Sequence, residues 1–175
     1  MELALRSHET ATKYLWGLEG HNEVAVFWTD PTYGLRMKSR YDRFIFEDDE
    51  ETVEITVEGE TKEVGRPVIV DLKSTKNASL EEFQRSIGNQ KYHFQATTYI
   101  RAASSLGWPR PMWVFVAVEK KPPFGVATYK LKPETISSTE QEVRLALERV
   151  SNAQSGDSWE SYPDRLQEIA KPRWA

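Results

Sequence analysis

The alternation of apolar and polar residues along the chain predicts a series of strands with a long helix between them. Glu23 to Trp28 (EVAVFW) and the segment from Leu35 to Phe46 are typical of two strands separated by a turn at Asp30-Pro31. Residues 68–73 (VIVDLK) form an apolar strand pattern that ends in charged residues. Residues 113–118 (WVFVAV) are apolar on both faces, which is typical of a strand in the middle of a sheet.

Helical periodicity marks three other segments. An opening helix is indicated by a stripe with spacings of three and four, made of Ala4, His8, Ala11, Leu15 and Leu18. Ser79 and Glu82 match a capping box and predict a helix that continues to about Ser105. Thr139 and Glu142 repeat this pattern before a last helix. The order of elements predicts an α/β fold with a mixed central sheet and helices on both of its faces.

The region near residues 47–64 is an acidic hairpin inserted between two strands of this sheet. Thr52 to Val57 alternates, Gly59 supplies a turn, and Glu60 to Val64 can return. Glu47 to Glu63 contains nine acidic residues and one basic residue. The remaining 18 acidic and 22 basic residues leave the body of the protein mildly basic, although the whole chain carries a net charge of −4.

Length and composition restrict the classes of protein that fit. The 175 residues suit one domain spanning 1–175, and the tail from Trp159 onward is predicted to pack against it. The chain has no cysteine, which excludes disulfide scaffolds, thiolate zinc sites and iron–sulfur clusters. No apolar run approaches the roughly 20 residues that a bilayer requires. We therefore expect a soluble cytoplasmic protein that does not enter a membrane.

Asp71 and Lys73 are the most informative candidates for chemistry. Alternation along a strand places both on one face, with Leu72 on the other. An acid and an amine together can hold hydrated Mg²⁺ and orient an attacking water, although one carboxylate is too few for such a site. Asp42 and Glu23, near the ends of the two preceding strands, could converge on it. Taken alone, the pattern is a weak signal and is more typical of a surface salt bridge at the end of a strand.

A polar stripe on the long helix could face the same site. Lys91, Gln95 and Tyr99 recur at intervals of four residues, which places them on one side of a helix. Spacing alone favours an ordinary solvated face. Tyr99 is the exception, because a large amphipathic side chain usually finds a partner.

Long segments of the chain resemble the exonuclease VIII (RecE-type) branch of the PD-(D/E)xK nucleases. The resemblance is carried by VIVDLKST, by FQRSIGNQKYHFQATTY and by FVAVEKKPPFGVATYKL. The run KSRYDR around Asp42 and the ending from Tyr162-Pro163 to Pro172-Arg173-Trp174 fit the same pattern. It implies a restriction-endonuclease-like fold and hydrolysis of double-stranded DNA with Mg²⁺, for which Mn²⁺ could substitute.

The resemblance also implies roles for single residues. Asp42 and Asp71 would bind the metal directly, and Glu23 would do so directly or through water. The backbone carbonyl of Leu72 would be a further ligand, and Lys73 would orient the attacking water.

Other residues would lie near the DNA. Gln95 and Tyr99 match a Q-x-x-x-Y helix motif of related nucleases, and Lys91 shares their stripe. His93 matches a family position and is open between substrate contact and packing. Arg85 is open between phosphate contact and a solvated charge. His8 lies on an apolar stripe and is expected to be structural.

The resemblance implies a 5′→3′ exonuclease that supplies a single-strand annealing protein during phage or prophage recombination. The family's usual N-terminal portion, with its additional helix and histidine, precedes the point where the resemblance begins. End recognition and the ring-shaped homo-oligomer that confers processivity therefore stay open. The alternatives are a shortened nuclease with endonuclease activity or other polarity, and a non-catalytic DNA-binding or assembly remnant of the fold.

Overall fold

The computed structural model describes residues 1–47, 52–57, 59–159 and 161–172. Its strands are β1 (Gly20–Thr29), β2 (Arg36–Glu47), β3 (Val53–Val57), β4 (Glu60–Val64), β5 (Arg66–Thr75), β6 (Met112–Glu119) and β7 (Val126–Lys130). Its α-helices are α1 (Glu2–Ser7), α2 (Glu9–Thr12), α3 (Leu80–Asn89), α4 (Tyr92–Ser105) and α5 (Pro133–Gly156), and a π-helical turn covers Lys13–Gly17. Within these ranges, no helix combines the length and the apolar character needed to cross a bilayer.

The main sheet has the strand order β1-β2-β5-β6-β7. The pair β5–β6 is parallel, and the pairs β1–β2, β2–β5 and β6–β7 are antiparallel. The connection between the two parallel strands contains α3 and α4. The predicted mixed α/β fold is confirmed, and β5 and β6 lie inside the sheet as their apolar patterns indicate.

Helices cover both faces of the sheet. On one face, Ile69 and Phe115 pack with Phe83 of α3 and Ile100 of α4. On the other face, the valines of β5 and β6 pack with residues of the N-terminal helices. Side chains of β5 therefore alternate between two cores, and this alternation decides which of its polar residues reach the α4 side.

The predicted long helix is wrong in one respect, because it is two helices. The chain leaves the helix after Asn89 and re-enters it at Tyr92, with Lys91 between them in a left-handed conformation at φ 56°. Gly88 and Asn89 are weak helix formers, which favours an ending at this place. Ser79 is the N-cap of α3 as predicted, but its side chain makes no capping hydrogen bond.

The other two predicted helices also differ from expectation. The opening helix breaks at His8, whose ring nitrogen Nδ1 accepts a hydrogen bond of 3.2 Å from the amide of Ala11 and so caps α2. His8 therefore has the structural role expected of it. The last helix starts at Pro133 and not at Thr139, since proline is favoured in the first turn. Thr139 lies inside α5 and bonds back to the carbonyl of Thr135.

The acidic hairpin forms a separate two-stranded sheet, β3–β4, as predicted. Residues 48–51 and 58 of the predicted insertion lie outside the described residues. Glu47 belongs instead to β2, where it is buried and accepts hydrogen bonds from Lys13 and Tyr14. The acidic insertion thus follows a carboxylate that is fixed in the core.

The C-terminal tail does not pack as predicted. Tyr162, Leu166 and Ile169 are 92%, 100% and 96% exposed. The prediction of a packed tail is therefore wrong for these three side chains.

The turn of the β1–β2 hairpin is held by a buried carboxylate. Asp30 is fully buried and its Oδ1 accepts hydrogen bonds of 2.9 Å from the amides of Thr32 and Tyr33. Its Oδ2 lies 2.6 Å from Nε of Arg101 in α4. Burial would raise the pKa of Asp30, but these hydrogen bonds outweigh burial and lower it.

Replacing Asp30 should be costly, because Arg101 would lose its partner. We expect Asp30→Ala to lower the free energy of unfolding by about 3 kcal/mol, measured by urea denaturation. The matched control is Glu140→Ala, which removes the surface pair with Arg110 and should cost about 1 kcal/mol or less. Equal losses in the two variants would contradict the buried character of the Asp30 pair.

Candidate functional site at the fork of two strands

The site lies where β2 and β5 stop pairing. Their antiparallel ladder runs from Glu47–Arg66 to Arg43–Val70. At the next position, Oδ2 of Asp42 accepts a hydrogen bond of 2.9 Å from the backbone amide of Leu72. A side chain thus takes the place of a backbone acceptor, and the strands part around it. We call this place the fork.

An irregularity in the β1–β2 hairpin places Asp42 at the fork. Tyr41 packs into the core beneath α4, whereas Arg43 donates to the carbonyl of Leu18 on the opposite side. In a regular strand, residues 41 and 43 would share a face. Glu23, which lies across from Asp42 in the register, has a left-handed φ of 54°, uncommon for a residue with a side chain. The hairpin therefore changes face at this position.

Asp71 is the buried member of the site. It is 3% exposed and neighbours Phe115 in the parallel β5–β6 ladder. Both of its carboxylate oxygens lie 2.8 Å from Nζ of Lys73, but only Oδ1 accepts a hydrogen bond from it. Oδ2 is buried, and none of the described residues donates a hydrogen bond to it. Such an atom is costly unless something else satisfies it.

The pKa of Asp71 reflects this environment. Burial raises it, the Lys73 ammonium opposes the rise, and the neighbouring Asp42 carboxylate adds to it, so that the pKa reaches about 6. The two acids therefore lie close enough to influence one another. The predicted shared face of Asp71 and Lys73 is confirmed, and so is the approach of Asp42.

Lys73 is held from three sides. Besides Asp71, its Nζ donates a hydrogen bond of 3.2 Å to Oε1 of Gln95. It also lies 4.8 Å from the centre of the Tyr92 ring, a cation–π contact. The Lys73 side chain is 17% exposed, so its amine is fixed near the surface rather than free in solvent.

Tyr92 is not among the residues predicted from the sequence, because the predicted polar stripe begins at Lys91. Because α4 begins at Tyr92, the face that meets β5 has the spacing Tyr92, Gln95, Tyr99. Tyr99 lies deeper, where its ring packs on Tyr41 and Trp113 and its carbonyl accepts a hydrogen bond from the Tyr41 hydroxyl. The signal that could have found Tyr92 is this alternative spacing of three and four.

The remaining predicted substrate contacts lie apart from the fork. Lys91 is exposed, with its Nζ 5.8 Å from the centre of the Phe94 ring. His93 donates from Nδ1 to the carbonyl of Ile87 at 3.1 Å, which favours its packing role. Arg85 forms ion pairs of 2.6 Å with two glutamates of α3. For these three residues, contact with a substrate stays a prediction.

Glu23 does not join the two aspartates in this structure. Its side chain is 64% exposed, and its Oε2 lies 3.3 Å from Nε of Arg40. Among the described residues, no group of three or more acidic or histidine side chains is arranged to hold a metal. The predicted ligand roles of Glu23 and of the Leu72 carbonyl therefore stay predictions.

The chain matches a known family. Residues 61–171 match the PDDEXK-like domain of unknown function (DUF3799). The chain belongs to this family. The matched part contains Asp71, Lys73, Gln95 and Tyr99, whereas Asp42 precedes it.

One of two similar solved structures has the same fold. A crystal structure from Eubacterium rectale, described as a "putative exonuclease", aligns with a TM-score of 0.61 and 13% identity over 98% of this chain. This chain spans 62% of that protein. The protein SSO0001 aligns with a TM-score of 0.42 and 14% identity, over 83% of this chain and 58% of its own, which is too low to support an argument. No curated protein matches the sequence.

The donor set at the fork fits a hard divalent cation. Asp42 and Asp71 offer carboxylate oxygens, which such cations prefer, and Oδ2 of Asp71 has acceptor capacity that the protein does not use. A cation with two protein carboxylates completes its coordination with water and substrate oxygens. Asp42 and Asp71 are therefore the candidate ligands at the fork for such a cation.

The raised pKa of Asp71 gives a pH-dependence of stability for the metal-free protein. The folded pKa of about 6 exceeds the ordinary value of 3.8, so the folded state holds the proton more tightly. This tighter proton binding contributes to the free energy of unfolding. The contribution is fully present below about pH 4 and is lost as the pH rises through about 6. At about 1.4 kcal/mol per pKa unit, the loss is about 3 kcal/mol, roughly half of it between pH 5 and 7.5.

Asp71→Asn is the reference variant, because it keeps the shape of the side chain and does not titrate. With a chelator present, the free energy of unfolding of the unsubstituted protein should fall relative to Asp71→Asn between pH 5 and 7.5. Parallel pH profiles from urea denaturation would show that Asp71 is not buried as described.

Proposed function

We propose that this protein is a divalent-metal-dependent deoxyribonuclease that hydrolyses phosphodiester bonds in double-stranded DNA. The proposal is carried by Asp42, Asp71 and Lys73 at the fork, with one buried carboxylate oxygen left unsatisfied. Membership of a PDDEXK-like family supports it, and so does the fold shared with a protein described as an exonuclease.

Asp42 and Asp71 would hold the metal, with Mg²⁺ as the proposed ion and Mn²⁺ as a substitute. A bound divalent cation polarises the phosphoryl oxygens and lowers the pKa of a coordinated water. The raised pKa of Asp71 indicates that the proton must leave this carboxyl before it can serve as a ligand.

Lys73 would act on the attacking water and on the charge that develops on the phosphate. Its amine is held by Asp71, by Gln95 and by the face of Tyr92, so it does not have to be ordered during the reaction. Donors that are fixed in this way stabilise developing charge more effectively than mobile ones. Gln95 and Tyr92 are positioning residues in this proposal, because both contact the lysine.

The finer features come from the resemblance alone. They comprise 5′→3′ polarity on linear DNA, a role in phage or prophage recombination, supply of a single-strand annealing protein, a ring-shaped homo-oligomer and the cytoplasmic location. The extension of a single domain over all 175 residues belongs with them. We propose them together with the nuclease activity, and the polarity is the first to test.

Degradation of end-labelled linear duplex DNA tests the activity. With Mg²⁺ present, we expect Asp71→Asn and Lys73→Ala each to reduce the rate by about 100-fold or more. The first substitution removes a proposed metal ligand, and the second removes a fixed positive charge near the reacting phosphate. Lys130→Ala changes an exposed lysine at the end of β7 and should leave the rate unchanged.

Early release of the 5′ label from linear DNA, with no nicking of closed circles, is the result expected for the proposed polarity. Nicking of circles would replace the exonuclease with an endonuclease. Absence of any cleavage by the unsubstituted protein would overturn the proposed function.

Thermal unfolding with and without Mn²⁺ tests the metal ligands separately from activity. Saturating Mn²⁺ should raise the melting temperature by about 5 °C, and Asp42→Asn or Asp71→Asn should abolish this rise. Glu23→Gln should preserve it, because Glu23 pairs with Arg40 outside the fork. Loss of the rise in Glu23→Gln would instead make Glu23 a ligand, as the resemblance implies.

A further inference from the structure

One face of the β1–β2 hairpin, beyond the fork, is exposed. From residue 24 outward, the inward side chains of the two strands pack beneath α4, and their alternate neighbours point to solvent. The outward set comprises Ala25, Phe27, Thr29, Arg36, Lys38 and Arg40. We call this set the hairpin face.

Phe27 is an unusual member of this face. Its side chain is 72% exposed, although Val26 and Trp28 on either side are buried in the core. It is directly opposite Lys38 in the register, and the Lys38 amine lies 5.2 Å from the ring centre. A regular strand fixes the ring, so its aromatic surface is presented outward and accompanied by a cation.

Three basic residues form a row along β2. Arg36, Lys38 and Arg40 occupy every second position, so neighbouring members are about 6.8 Å apart along the strand. A nucleic-acid strand carries one negative charge per nucleotide, so a strand laid along the row can contact several of these cations at once. Glu23 pairs with Arg40, which leaves an excess of two positive charges on a protein whose net charge is −4.

The row ends close to the fork in the chain. Arg40 is two residues from Asp42 on the same strand, and it lies on the side of the hairpin away from α4. A polyanion held along the row would therefore end next to the segment of β2 that carries Asp42. An apolar protein partner would not account for the basic row, whereas a nucleic-acid strand accounts for both the row and the exposed ring.

We propose that the hairpin face binds a single-stranded segment of the DNA, with a base stacked on Phe27 and phosphates contacted by Arg36, Lys38 and Arg40. The identity of this occupant rests on the proposed function. Lys38 would exchange its contact with the ring for a phosphate, and the freed ring would take the base. A strand bound in this way would run along β2, either toward the fork or away from it.

Binding of a fluorescently labelled single-stranded DNA oligonucleotide, measured by anisotropy in the presence of a chelator, tests this without cleavage. Removing three phosphate contacts in Arg36→Gln/Lys38→Gln/Arg40→Gln should reduce the slope of log affinity against log salt by about 2. Phe27→Ser should weaken binding about tenfold with little change of slope, because stacking is not ionic.

Matched controls distinguish the effect of changing this face from the effect of removing charged or aromatic side chains elsewhere. Arg110→Gln/Lys130→Gln/Lys132→Gln removes three exposed basic residues near β6 and β7, away from the hairpin, and should leave both affinity and slope unchanged. Tyr162→Ser removes an aromatic ring that is 92% exposed in the tail and should have no effect. Thermal unfolding of each variant verifies that it is folded.

The outcomes distinguish this inference from the proposed function. Equal losses in the test and control triple variants, or unchanged binding in both hairpin variants, would overturn the inference even if the protein cleaves DNA. Selective losses in the hairpin variants would support it even if the unsubstituted protein fails to cleave with Mg²⁺. Failure of the unsubstituted protein to bind the oligonucleotide would overturn it outright.

Discussion

Burial of the Asp71 carboxylate is the constraint on which the rest of the site depends. The fold places this acid on a central strand, where its pKa rises to about 6 because few polar groups surround it. Among the described residues, Lys73 donates the one side-chain hydrogen bond to this carboxylate, Asp42 lies near it, and Oδ2 accepts no hydrogen bond. This arrangement is unfavourable for stability, since a buried ion normally needs several partners. It is favourable for a cation, because the oxygen is desolvated and already in place.

The parting of β2 and β5 brings a second carboxylate close to this buried acid. Strands inside a sheet normally satisfy each other's backbone groups, and leaving them unpaired is costly. Here Asp42 accepts the Leu72 amide and so covers the end of the ladder with a side chain. The same carboxylate therefore terminates a sheet pairing and lies at the proposed metal site. A neutral asparagine could perform the first task but would bind a cation less well.

Much of the fold and half of the site follow from sequence patterns. Apolar runs on both faces placed β5 and β6 inside the sheet, and alternation along β5 placed Asp71 and Lys73 on one side. The helix break at Lys91 is not visible from periodicity alone, because the apolar stripe resumes at Phe94 after Ile87. This one error moved the predicted stripe from Tyr92 to Lys91. The exposed position of the Glu23 side chain was not predictable either, since its left-handed backbone depends on the pairing with β2 and not on its own neighbours.

Because the β1–β2 hairpin changes face at Asp42, its strands have two parts with different surroundings. The part near residues 43–47 is clamped between the N-terminal helices and β5, and substitutions there would disturb the core. The part beyond Asp42 has one side against α4 and the other free. Its outward residues can therefore diverge among relatives without moving either aspartate. Asp42 stands at the boundary between a part of the hairpin that is fixed by the core and a surface on which new specificities can evolve.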